Sequence, residues 1–177
     1  MLAQQHLQLM GNYNQWMNDK VYNAAATLSE DDLMTERGAF FGSIFATLNH
    51  LAVADTIWIT RLSSIFPQEW DLEKAKRLPQ IPTLNHLLFN NLPELRIYRT
   101  QLDDILTQLS GHTDETILMS SINYLDIKGV QHRKQVFSLL THVFNHQTHH
   151  RGQITTMLTQ AGVDIGVTDL NALVPEM

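Results

Sequence analysis

Four of the nine histidines in this 177-residue sequence fall between His142 and His150. On a helical wheel, His150 lies about 40° and His146 about 80° from the centre of the surrounding apolar face, whereas His142 and His149 lie about 120° and 140° away. His146 and His150 therefore share the inward side, one turn apart, where two imidazoles can bind one ion. Such an HxxxH pair is half of a metal site. Without an ion the same two residues would be polar groups at the edge of a helix seam. A buried imidazole nitrogen with no partner costs roughly 1–3 kcal/mol, so an ion that takes one nitrogen of each is the simpler account. His142 and His149 are expected to face solvent or to orient the ligands.

The neighbouring residues narrow the chemistry. No histidine is followed by glutamate, which excludes the HExxH zinc-protease pattern. No glutamate stands three residues before a histidine, which excludes the paired Glu-x-x-His ligands of di-iron bundles. A mononuclear site remains, and with Cys 0 its ligands must be nitrogen and oxygen. The third ligand must come from another helix. His50, beside the small or apolar residues Ala46, Val53, Ala54 and Ile57, is a candidate, and His86, Asp55 and Asp103 are other possible donors. No spacing identifies a general base, so the catalytic residues are unknown; Asp55, Tyr13 and Trp16 are expected near the pocket only from their helix faces.

The elements that must position these groups are helical. Met10, Tyr13, Met17, Val21, Ala24 and Leu28 recur every three or four residues and predict a first helix from Leu7 to about Leu28. Phe40, Phe41, Ile44, Phe45, Leu48, Leu51, Ile59 and Leu62 predict a second, more apolar helix. Pro67, Pro79 and Pro82 among charged residues mark a surface connection. Thr83 can cap a third helix running through Leu84, Leu87, Leu95 and Leu102 to Gly111, with Pro93 kinking or splitting it. Periodicity then fails between Thr116 and Arg133, where Asp126-Ile127-Lys128-Gly129 suggests a small hairpin or irregular loop. Val136, Leu139, Val143, Ile154 and Leu158 predict the fourth helix, ended by Gly162, and the tail from Val163 reads as packed coil. The fold class is all-α: a four-helix bundle with a small hairpin or loop insertion before the fourth helix, in one domain over residues 1–177.

Composition removes whole classes of function. Twelve Lys+Arg against 18 Asp+Glu give a net charge of -6, which repels phosphate backbones, so nucleic acid is not expected as a partner. The absence of cysteine excludes disulfides and iron–sulfur clusters. The start Met1-Leu2-Ala3-Gln4-Gln5-His6 has no cationic, apolar leader, and the most apolar stretch, Leu51 to Ile59, is too short to cross a membrane. A cytoplasmic protein is the expectation.

Two segments carry a family resemblance: Leu48-Asn49-His50-Leu51-Ala52-Val53-Ala54-Asp55-Thr56-Ile57-Trp58 and Asn145-His146-Gln147-Thr148-His149-His150-Arg151-Gly152-Gln153. Together they resemble the DinB-like (DinB/YfiT) family of candidate metalloenzymes. Tyr13-Asn14-Gln15-Trp16, Gly42-Ser43-Ile44 and the stretch from Gly162 to Leu170 extend the likeness over nearly the whole chain. The resemblance implies a four-helix bundle that binds a divalent metal, zinc or nickel, through one histidine of the second helix and the HxxxH pair of the fourth. By position these are His50, His146 and His150. It also implies a homodimer, with which the apolar breadth of the second helix agrees. Activities in the wider superfamily include thiol-dependent transferases and isomerases.

Three imidazoles leave a coordination position open to a small-molecule substrate. The chain is therefore read as a metal-dependent enzyme, a hydrolase or a thiol-dependent transferase; in the second case a small thiol must arrive separately, since the chain has none. The alternative is a non-catalytic metal-binding bundle serving protein association or a stress role.

Overall fold

The computed structural model describes residues 3–65 and 73–176. Four long helices build it: α1 (Ala3–Ala25), α3 (Ile44–Leu62), α5 (Leu92–His112) and α7 (Val136–Gln160). Short helices α2 (Glu30–Met34), α4 (Glu73–Lys76) and α6 (Glu115–Met119) lie in the connections. Strands β1 (Ser121–Leu125) and β2 (Gln131–Gln135) pair antiparallel, with Ser121 opposite Gln135, so the expected insertion before the last long helix is a hairpin. Asp126 and Gly129, with φ +79°, close its turn. No described helix is long and apolar enough to cross a membrane.

Each of α1 and α3 packs against both α5 and α7, giving the order α1, α5, α3, α7 around the bundle. The helices that carry His50 and the HxxxH pair are therefore neighbours. Leu48, Leu51, Leu95, Leu102, Val143, Ile154 and Leu158 lie in the main core, almost fully buried. Each such side chain contributes roughly 1.5–3 kcal/mol by leaving water. A second cluster, Leu7, Leu62, Leu118, Ile122, Val136, Leu140 and Phe144, seats the hairpin end.

Two boundaries differ from the sequence reading, and both bear on the site. α3 begins at Ile44, because Ser43 caps it: its hydroxyl accepts the Ala46 N–H at 3.1 Å. Phe40 and Phe41 thus belong to a tight loop, in which Arg37 N–H donates to Gly42 O and Gly42 N–H to Ala39 O. Gly42 takes φ +80°, and a Cβ there would collide with Glu36 Oε2. The third long helix starts at Leu92, not at Leu84. Asn91 caps it and Pro93 sits in the first turn, where its missing N–H is harmless, so Pro93 neither kinks nor splits it. It also runs past Gly111 to His112. Leu84 and Leu87 lie in the coil before it, which reaches His50 through Leu84 O.

At the other ends the reading needs smaller changes. α1 runs from Ala3 and stops at Ala25, short of Leu28. Gly162, with φ +79°, follows α7, and Val163 N–H returns to Leu158 O. The tail packs Val163, Ile165, Leu170 and Leu173 on the core and contains one short 3-10 turn, Leu170–Leu173.

Candidate metal centre

One turn apart on α7, His146 and His150 face His50 across the seam, and each of the three offers a ring nitrogen within 4.8 Å of the others. His50 Nε2 stands 3.3 Å from His146 Nε2. Two nitrogens bound at zinc's usual distance with tetrahedral angles are about 3.3 Å apart, so this pair already has the separation an ion requires. His142 and His149 are exposed, as the wheel predicts. His86, Asp55 and Asp103 lie outside the cluster: the described residues contain no group of three or more possible ligands that includes them.

Partners of the other ring nitrogens orient the lone pairs. His50 Nδ1 faces Leu84 O at 3.4 Å and His150 Nδ1 faces Gln153 Oε1 at 2.8 Å. A carbonyl oxygen can only accept, so both rings carry their proton on Nδ1 and turn an unprotonated Nε2 away from that partner. For His50, that nitrogen points at Nε2 of His146, which can donate a proton to it or, with its own lone pair, share a cation with it. An all-imidazole donor set fits a divalent transition ion.

The coil before α5 is held to the site by Asn49. Its amide donates to His86 O at 2.7 Å and accepts the Leu88 N–H at 2.9 Å, which fixes Leu84 O beside the His50 ring. Phe41 closes another side: its ring stacks on His50 with centroids 3.8 Å apart and meets His150 edge-on at 5.5 Å. Sequence periodicity assigned Phe41 to a helix face and gave Asn49 no role. The Asn-His pair itself was the available signal for Asn49; nothing local distinguishes Phe41.

Two cavities share His50 and Leu84 in their walls. One of about 630 Å³ is lined by Met34, Phe40, Phe41, Phe45, His50 and Leu87, among others. The second, about 290 Å³, includes His50, Trp58, Arg61, His142 and His146 in its wall. Asp55, Tyr13 and Trp16 border neither. Tyr13 instead donates its hydroxyl proton to Thr168 O at 2.7 Å, and Trp16 lies under the Lys20 ammonium.

Asp55 belongs to a buried polar network spanning all four long helices. Arg99 on α5 donates to Asp55 Oδ2 at 2.7 Å and pairs with Asp103 at 3.1 Å. Asn14 and Asn18 on α1 donate to Asp103 Oδ1 at 3.0 and 2.8 Å. On α7, Gln147 donates to Asp55, while Arg151 donates to Gln147 Oε1 at 3.2 Å and also to Asn14. Burial pushes the Asp103 carboxyl up to about 6 against the opposing pull of Arg99. Gln147 and Arg151 each follow a site histidine by one residue, so the network fixes the rotation of α7 that turns His146 and His150 toward His50.

Burial also keeps the site imidazoles neutral. It lowers His50 to about 4, opposed by the Leu84 hydrogen bond, and lowers His146 to about 3, aided by the neighbouring His150 and His50. The unfolded chain takes up these protons as pH falls below 6.5, whereas the folded chain does so only near 4 and 3. Metal-free protein is therefore expected to lose stability on acidification from pH 6.5 toward 3. Urea midpoints measured across this range check it, and His146→Leu should flatten the slope. The comparison with that variant isolates the imidazole from carboxyls such as Asp103, whose raised pKa acts with the opposite sign. An unchanged slope in His146→Leu refutes the assignment.

Comparison with known proteins shows the family. A family model described as the DinB family matches residues 2–175. Protein DinB of Bacillus subtilis (strain 168) is 26% identical over 162 residues, covering 89% of this chain and 87% of that relative.

Proposed function

Because the chain belongs to the DinB family, we propose that it holds one divalent metal ion, zinc or nickel, on His50, His146 and His150 and acts on a small molecule as a hydrolase or a thiol-dependent transferase. The observation that carries this reading is the convergence of three neutral imidazoles, with no fourth protein ligand in the described cluster, where His50 lines two cavities and His146 one of them. When bound, such an ion supplies Lewis acidity to an oxygen or sulfur of the substrate.

The chain's own residues supply position and exclusion of water. Leu84 O and Gln153 hold the His50 and His150 rings, and Phe41 covers one face of His50. Phe40, Met34 and Leu87 make the rim of the larger cavity apolar, and Phe40 is 85% exposed there, which suits a substrate with an apolar portion. Since the chain has no cysteine, a transferred thiol is a second small molecule. In this reading the protein works in the cytoplasm as a homodimer and does not bind nucleic acid.

A panel of esters, amides and alkylating electrophiles, run on zinc- and nickel-loaded protein with and without small thiols, tests the reading. Turnover without thiol marks a hydrolase; turnover only with thiol marks a transferase. Turnover that survives both chelation and His146→Ala would refute the metal-dependent mechanism.

A further inference from the structure

The smaller cavity contains a cation that the reading above does not use. Arg61 lies on α3 eleven residues after His50, three turns along nearly the same face, which is about 16 Å of helix. Its stem leans back toward the helix N-terminus and so toward the histidines. The guanidinium carbon sits 4.8 Å from the Trp58 ring centroid and 4.9 Å from that of Tyr124 on the hairpin. These two rings meet at 5.4 Å, edge to face. The guanidinium is thus held by two aromatic rings, and among the described residues no hydrogen bond or ion pair takes up its N–H groups.

The acidic neighbour does not consume it. Asp126 also lines this cavity, but its Oδ1 accepts the N–H groups of Lys128 and Val130 at 2.8 and 2.9 Å, and its Oδ2 accepts from His132 at 3.1 Å. Arg61 thus lines the cavity beside a carboxylate whose oxygens are already committed, on a chain of net charge -6. Between Arg61 and the histidines run Trp58 and His142, whose ring centroids are 5.2 Å apart, with His142 in turn 6.0 Å from His146. The wall is continuous from guanidinium to triad.

We propose that Arg61 binds a carboxylate at the far end of a small substrate whose reacting end lies at His50, His146 and His150. A guanidinium fork matches the two oxygens of an anion, carboxylate or phosphate. The nearby Asp126 disfavours a doubly charged group, which selects the carboxylate. The proposal rests on the small-molecule reading above, and its test separates the two.

In metal-free protein, labelling of Arg61 by phenylglyoxal is followed by peptide mass spectrometry, with exposed Arg133 as the internal reference. Hexanoate should slow labelling of Arg61 saturably and hexan-1-ol should not. Equal effects of the two overturn the anion site, and stronger protection by hexyl phosphate overturns its assignment to a carboxylate. In zinc-loaded protein, calorimetry compares 6-mercaptohexanoate with 6-mercaptohexan-1-ol. The acid should bind about 10-fold or more tightly, Arg61→Gln should erase that advantage, and Arg61→Lys should retain part of it. An advantage that persists in Arg61→Gln overturns the proposal. If hexanoate protects Arg61 but neither thiol gains affinity from zinc, the anion site stands and the metal reading falls.

Discussion

Alanine at His146 or His150 is expected to abolish stoichiometric binding of zinc or nickel at neutral pH, with affinity lowered by more than 100-fold. That bound follows because even a partner that only orients a metal ligand is worth about 10–100-fold, and removing the ligand itself leaves two imidazoles where three converge. His50→Ala should have the same effect, since His50 faces His146 at 3.3 Å from the neighbouring helix. His142→Ala and His149→Ala should keep one ion per chain, because both side chains are exposed and lie outside the convergent cluster. Equilibrium dialysis with elemental analysis reads all five variants. Full metal in His146→Ala, or loss of metal in His142→Ala, would show that the ion binds elsewhere.

A second large effect is expected where no ligand is touched. Asp55→Ala removes the carboxylate that receives both Arg99 and Gln147 in the middle of the bundle. Arg99 is buried and keeps only Asp103 as a counter-charge, while the Gln147 amide loses its acceptor. Breaking one partner out of a buried pair costs about 3–5 kcal/mol, mostly the desolvation of the charge left behind. Urea unfolding should register that loss. Glu115→Ala, on the exposed first turn of α6, should change stability by less than about 0.5 kcal/mol. A loss below about 1 kcal/mol in Asp55→Ala would mean that water reaches the cluster and that the network does not fix α7.

The network explains one limit of reading the chain as stripes. Asn14 and Asn18, Arg99 and Asp103, Gln147 and Arg151 are three i, i+4 polar pairs inside helices whose apolar residues share the same interior. Their spacing is visible in the sequence, but polar residues at interior phase look like interruptions until their partners on other helices are known. Asp55 illustrates the cost: from its helix face it belongs near the pocket, and only the arrival of Arg99 from α5 turns it into a structural counter-charge.

Local chemistry determined the rest of what the sequence discloses. The 3.6-residue period fixed four long helices, Gly162 ended the last of them, and the turn at Asp126 to Gly129 closed a hairpin. The wheel separated inward His146 and His150 from outward His142 and His149 because all four share one rigid helix, so their relative directions depend on no other element. The choice of His50 over His86, Asp55 or Asp103 as the facing residue was different. From the residues alone it stayed open; it required knowing that α3 lies beside α7 and not diagonal to it, and that Asp55 on the same helix is taken by Arg99 and Gln147, a matter of how four helices pack around one core. Tertiary structure alone also brought Phe41 onto His50, since its apolar character suits a helix interior equally well, and carried Leu84 O and the Trp58, Tyr124 and Arg61 stack to either side of the triad. Periodicity constrains the faces of single elements; contacts between residues dozens of positions apart depend on how those faces assemble.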